Sequence, residues 1–130
     1  MTRNQRVSTI RRWGPVLAWT AVIFGAASVP GSNFEDVGFD FPDKAAHAIE
    51  YAVLGFIAYR RARVKDGASA GRAFGVALLI GIGVGFLDEN YQRMIPLRET
   101  SAYDWLADGL GTAAGAGLAA GFGKAGRRTR

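Results

Sequence analysis

One histidine and a small set of carboxylates carry whatever chemistry this chain performs. His47 is the only histidine among 130 residues. Its imidazole could serve as general acid or base near neutral pH, with Glu89 or Asp104 orienting it. One histidine with Glu89, Asp104 and Asp108 is also a conceivable set of ligands for a divalent ion, since hard cations prefer oxygen. Arg98 and Lys44 would attract phosphate or carboxylate, Arg98 with two parallel bonds. Against the enzyme stand the missing motifs: no H-E-x-x-H, no Gly-x-Ser-x-Gly and no second histidine. Cysteine is absent, which removes disulfides, thiolate metal sites and a thiol nucleophile. A lone histidine among carboxylates is more often a hydrogen-bonded network, so neither a metal nor another cofactor is expected. Gly81-Ile82-Gly83 lies inside an apolar run, which speaks against a nucleotide-binding loop.

The spacing of these residues is helical. Asp43, His47 and Tyr51 recur at every fourth position and share one face, and Glu50 follows His47 by three. Glu89 and Gln92 are three apart, Asp88 and Gln92 four. Asp104 and Asp108 fall one turn apart, with Gly111 almost a turn further. Residues 86–111 form the centre of the arrangement. An uncharged run ends there in Asp88, Glu89 and Gln92, a short connection carries Pro96 and Arg98, and a second run opens with Asp104 and Asp108.

The elements that position them read as membrane helices. Residues 13–29, 51–59, 73–87 and 109–123 contain no Asp, Glu, Lys or Arg. A soluble amphipathic helix would show a recurrent polar face, and AFGVALLIGIGVGFL shows none. Residues 51–59 are too few to cross a bilayer, which takes about 20, so that span must draw on residues 43–50. The third must likewise extend into residues 88–92, and the fourth must begin near Ala102. Asp43, after Pro42, is the expected N-cap of the second helix. Pro15 is placed in the first turn of the first span, where its missing N–H costs least. Glycine pairs at Gly81/Gly85, Gly111/Gly115 and Gly117/Gly121 would let helices approach closely.

Charge sets the orientation. Thirteen of the 16 Lys and Arg residues lie in residues 1–12, 60–72 and 124–130. The excess of positive charge on cytoplasmic loops then places both termini and the middle loop inside. The +5 net charge invites a nucleic-acid reading, but no such module is visible and the basic residues flank apolar runs. Residues 1–12 and 124–130 read as basic cytoplasmic tails, the first of them mobile, and 13–123 as a four-span membrane domain. Residues 30–43 form an outer loop with Glu35, Asp36 and Asp40. The basic start, apolar core and Ala26-Ala27-Ser28 would also suit a cleaved signal peptide; the length of the run and the three spans after it favour a retained helix. With this topology the polar clusters of the second, third and fourth spans all fall in the outer layer of the membrane. Such buried ionisable residues are functional candidates by default.

The motifs Asp43-Lys44-x-x-His47-x-x-x-Tyr51-x-x-Leu54-Gly55, Glu89-x-x-Gln92 and Arg98-x-x-Ser101-x-x-Asp104-x-x-x-Asp108-x-x-Gly111 resemble those of the VanZ-like membrane proteins. The resemblance spans about residues 13–122. One departure is Asp108, where that family commonly carries asparagine. The resemblance implies a multi-pass protein of the bacterial inner membrane, in a family whose founding member is linked to low-level resistance to the glycopeptide teicoplanin.

The expectation is therefore an all-α, integral membrane four-helix bundle with both termini cytoplasmic. An outward-facing polar pocket would bind a cell-envelope lipid headgroup or a glycopeptide through Asp43, Lys44, His47, Tyr51, Glu89, Gln92, Arg98, Asp104 and Asp108. Two alternatives compete with it. One is a membrane-embedded hydrolase or transferase acting on a lipid-linked phosphate, with His47, Glu89 and Asp104 as catalytic candidates. The other is purely structural, with Arg98 paired to Asp104 or Glu89 and His47 to Tyr51 or Asp43. Membrane lipids are expected partners and nucleic acid is not; a transporter would need homo-oligomers, because four spans without a repeat leave little room for alternating access. The membrane premise is checked by carbonate extraction, in which the chain should stay with the pellet. Single cysteines at positions 47 and 104 should report the same side of the bilayer; opposite sides would dismantle the site.

Overall fold

A computed structural model describes residues 3–29, 40–98 and 100–125, with side chains for 8–29, 44–98 and 100–123. It contains four helices: α1 (Arg3–Ala27), α2 (Asp40–Val64), α3 (Ala70–Gln92) and α4 (Ala102–Ala125). No strand occurs among the described residues, so the fold is the expected all-α arrangement of four helices.

Contacts at the two ends fix the helix directions. At one end Arg12 of α1 meets Asp66 of the α2–α3 turn at 2.9 Å. At the other, Ser28 at the end of α1 meets Tyr91 near the end of α3, hydroxyl to hydroxyl at 2.8 Å. Helices α1 and α3 therefore run one way and α2 and α4 the other. Helix α1 packs on α2 and α3 only, whereas α2 and α4 form the most intimate pair.

Glycine makes that pair. A Cβ on Gly111 would strike the Ala48 carbonyl, and one on Gly115 the Ala52 carbonyl one turn further along both helices. A Cβ on Gly55 would strike the backbone of Thr112. Two parallel backbones thus run in contact with no side chain between them, the close approach that small residues allow. Gly81 and Gly85 of α3 also face α4, whereas Gly117 and Gly121 have open space around them.

Several helix ends differ from expectation. Helix α1 starts at Arg3, so the basic segment expected as a mobile tail is helical from that residue. Arginine is a good helix former, and nothing in residues 3–12 breaks the turn. Pro15 then lies well inside the helix, where the Arg11 carbonyl loses its usual donor. Helix α2 starts at Asp40, three residues before the expected cap at Asp43, and runs on through Arg61 and Arg63, whose charges suit a C-terminus. Tyr59, the last residue before the arginines of α2, is buried. Helix α3 is capped by Ser69, whose side chain accepts from the Arg72 N–H. Helix α4 opens with a reciprocal cap: the Ser101 N–H donates to Asp104 Oδ2 at 3.0 Å, and the Asp104 N–H donates to Ser101 Oγ at 3.3 Å. The outer loop expected over 30–43 lies outside the described residues as far as position 39.

An apolar core that includes Val16, Ile23 and Leu54 coexists with many outward-facing large apolar side chains. On α3 the buried positions are Ala73, Ala77, Gly81, Gly85, Asp88, Glu89 and Gln92. Leu79 is 73% exposed, and Ile82, Phe86 and Leu87 face outward with it. Leu17 and Val22 on α1, Ile49 on α2 and Leu106, Leu110 and Leu118 on α4 do the same. Among the described helices, α3 alone is long and apolar enough to cross a membrane, and only 22% of its most apolar stretch is buried. Arginines on α1 and α2 lower the hydropathy of those two helices.

The seam gives a direct test. Gly115→Ala should lower stability by about 1–3 kcal/mol, the usual result of forcing a methyl into a filled interface. Gly117→Ala, in open space, should be neutral or stabilise by up to about 1 kcal/mol through helix propensity. Thermal unfolding of the two purified variants, side by side, checks the contrast.

Candidate functional site

The α2–α4 seam sets two residues facing each other. His47 directly precedes Ala48, and Asp108 comes three residues before Gly111, so the contact between Ala48 and Gly111 aligns them. His47 Nδ1 lies 2.9 Å from Asp108 Oδ1. His47 is 5% exposed and Asp108 1%. Gly85 of α3 leaves room for this carboxylate: a Cβ there would stand 3.1 Å from Asp108 Oδ2. Thr112, one turn on, donates its hydroxyl to the Asp108 carbonyl at 2.8 Å, a local bond that keeps a polar side chain satisfied inside the bundle.

The second buried carboxylate comes from α3. Asp88 is 1% exposed. Its Oδ2 accepts from Gln92 Nε2 at 2.9 Å and, at the longer distance of 3.5 Å, from the Tyr51 hydroxyl. The Tyr51 ring lies almost parallel to the His47 ring, 8° apart in plane with centroids 6.4 Å apart. Tyr51 therefore links the two carboxylates, stacked beside the partner of one and bonded to the other. His47, Asp88 and Asp108 each offer a ligand atom within 4.8 Å of the other two.

A shallower layer lies one turn nearer the helix ends. Lys44 Nζ stands 3.8 Å from Asp104 Oδ1, with Lys44 half-exposed and Asp104 buried. Glu89 is buried, and its Oε1, like Asp88 Oδ1, accepts no hydrogen bond among the described residues. Arg98 Nη1 donates to the Val29 carbonyl at 3.3 Å, tying the α3–α4 connection to the end of α1. The Trp19 indole N–H donates to the Glu50 carbonyl at 2.8 Å and anchors α1 against α2 just below this layer.

Most of the expected set is thus brought together: His47, Tyr51, Glu89, Gln92, Asp104 and Asp108 are buried at one end, with Lys44 and Arg98 at its rim. The Asp43 side chain lies outside the described residues. The pairings differ from those expected. Asp108, not Glu89 or Asp104, orients His47, because the seam leaves the other two nearer the helix ends. Asp104 is engaged by Lys44 and by the cap of its own helix, while Arg98 reaches the backbone of α1. Asp88 stands outside the expected set and is among its most buried members. Its signal was the four-residue spacing to Gln92, which on a helix puts the amide over the carboxylate. Two cavities, of about 510 and 270 Å3, open at the opposite end. They are lined by Arg60 and Val64 with other basic and apolar residues and hold no carboxylate or histidine.

Comparison with protein-family models, with characterised proteins and with solved structures finds no match.

A buried hydrogen-bonded pair loses more when one partner is removed than when both are. His47→Ala should cost about 1–3 kcal/mol by taking the imidazole from Asp108. His47→Leu with Asp108→Leu should recover most of that loss, as measured by unfolding of the two variants. A double variant as unstable as the single one would show that the pair does not hold this end of the bundle.

Proposed function

We propose that the chain is a multi-pass membrane protein of the VanZ-like kind, with both termini on the cytoplasmic side. Its acidic end is an outward-facing site for a polar envelope ligand. The observation that carries the reading is a polar interior at one end: seven hydrogen-bonding or ionisable side chains from α2, α3 and α4 are buried there, while large apolar side chains face outward on all four helices. Water would reward the opposite arrangement. In a bilayer the outward apolar surface meets lipid, and intramembrane ionisable groups turn toward the interior.

The charges indicate the ligand. Acidic groups dominate the interior, and the basic groups at this end, Lys44, Arg93 and Arg98, lie at the rim. A bare phosphate would meet Glu89 and Asp104. A zwitterion fits better: an ammonium toward Glu89 and Asp104, and a phosphate or carboxylate toward Lys44 and Arg98. Ethanolamine phospholipid headgroups and amine-bearing glycopeptides both present this chemistry. The hydrolase alternative draws support from the His47–Asp108 pair, which resembles a base with its orienting carboxylate. Binding is the better-supported reading, because the rim sets a basic group against a buried carboxylate, Lys44 beside Asp104, as recognition of a zwitterion requires.

Protein in nanodiscs should bind glycerophosphoethanolamine or a fluorescent teicoplanin. Glu89→Gln and Arg98→Ala should each weaken binding about tenfold or more, the worth of one charge-assisted hydrogen bond. Asp104→Asn is a poorer probe, since it also alters the α4 cap. Equal affinity in the wild type and both variants would refute the pocket.

A further inference from the structure

The floor of the site packs two carboxylates against one imidazole. His47, Asp88 and Asp108 come from three different helices, are each more than nine-tenths buried, and bring their ligand atoms within 4.8 Å of one another. Arg98 adds an electrostatic attraction on Asp88. Tyr51 and Gln92 give neutral hydrogen bonds to a single oxygen of Asp88. The other oxygen, Oδ1, is shut off from solvent and accepts none. An ionised oxygen in that position is among the costliest polar atoms to bury.

We propose that His47, Asp88 and Asp108 bind a divalent cation of the Mn2+ or Zn2+ class. The proposal concerns the floor of the site and stands apart from the rim ligand. One imidazole nitrogen and two carboxylate oxygens form a mixed set that suits these ions better than Ca2+ or Mg2+, which favour oxygen throughout. Ligand atoms about 2.1 Å from a shared ion stand about 3.0–4.2 Å apart, so side-chain shifts of roughly half an ångström complete the geometry. A double positive charge balances both carboxylates with the imidazole neutral, and it gives Asp88 Oδ1 a partner. Tyr51 and Gln92 hold Asp88 from behind, as the outer partners of metal ligands do. Three protein ligands leave coordination positions for water or for an oxygen of a molecule at the rim, the arrangement of an open metal site.

The test uses the metal alone. The full chain, purified in detergent and stripped with chelator, is dialysed against Mn2+ and in parallel against Zn2+. The bound ion is counted by elemental analysis, and for Mn2+ also by loss of the free-ion spin-resonance signal. One ion per chain is expected, with a melting temperature that rises as the ion is added. Asp88→Asn, nearly isosteric, should weaken binding at least tenfold and abolish that rise. Asp108→Asn should do the same and serves if Asp88→Asn fails to fold by circular dichroism. Asp66→Asn, at the opposite end, should bind like the wild type. No ion retained at millimolar metal, or equal binding by the wild type and the folded Asp88→Asn and Asp108→Asn variants, would overturn the proposal. Metal binding without capture of the envelope probes would count against the rim reading alone.

Discussion

The bare backbone contact between α2 and α4 is the constraint on which the rest depends. Because Gly111 and Gly115 carry no side chain, two parallel helices meet carbonyl to Cα at Ala48 and Ala52. That contact fixes both their distance and their axial register. His47 and Asp108 are adjacent to it in sequence and so are delivered to each other at 2.9 Å. A wider seam would let water or lipid reach the pair, and a shifted register would offer His47 a different partner. The same glycine logic continues on α3, where Gly85 leaves room for Asp108. Packing of the smallest residues thus positions the most polar ones.

Around this seam the chain keeps two unlike ends. The basic end has arginines lining shallow cavities and the exposed Arg12–Asp66 pair. Exposed pairs of this kind contribute about 0–1 kcal/mol, so that end tolerates change. The acidic end has buried carboxylates, short hydrogen bonds and helix caps that share residues with the site. Asp104 is the clearest shared residue, closing the first turn of α4 while facing Lys44. Stability and the proposed ligand contact share residues there, which is why substitutions at the rim have to be chosen by what else each side chain holds.

Much of the site could be read from the chain because helical spacing and the limits of uncharged runs are one-dimensional properties. His47 with Tyr51, Asp88 with Gln92 and Asp104 with Asp108 each follow a four-residue rule that needs no partner helix. Their common depth followed from where the uncharged runs stop and where the basic residues lie. The end of α3 at Gln92 and the start of α4 at Ala102 followed from the same reasoning. The starts of α1 and α2 did not, because arginine and aspartate are compatible with both a helix and a solvated tail, and local composition does not choose between them.

The amino-acid sequence by itself determined that this chain forms helices, that cysteine chemistry is closed to it, and that its histidine and acidic residues gather at one end. These follow from residue type and period alone. Only the tertiary structure decided who pairs with whom: His47 with Asp108, Asp88 with Tyr51 and Gln92, Lys44 with Asp104. Rotation of each helix about its own axis and the register between helices select those partners. Both are set by glycine contacts distant along the chain, where no local rule reaches.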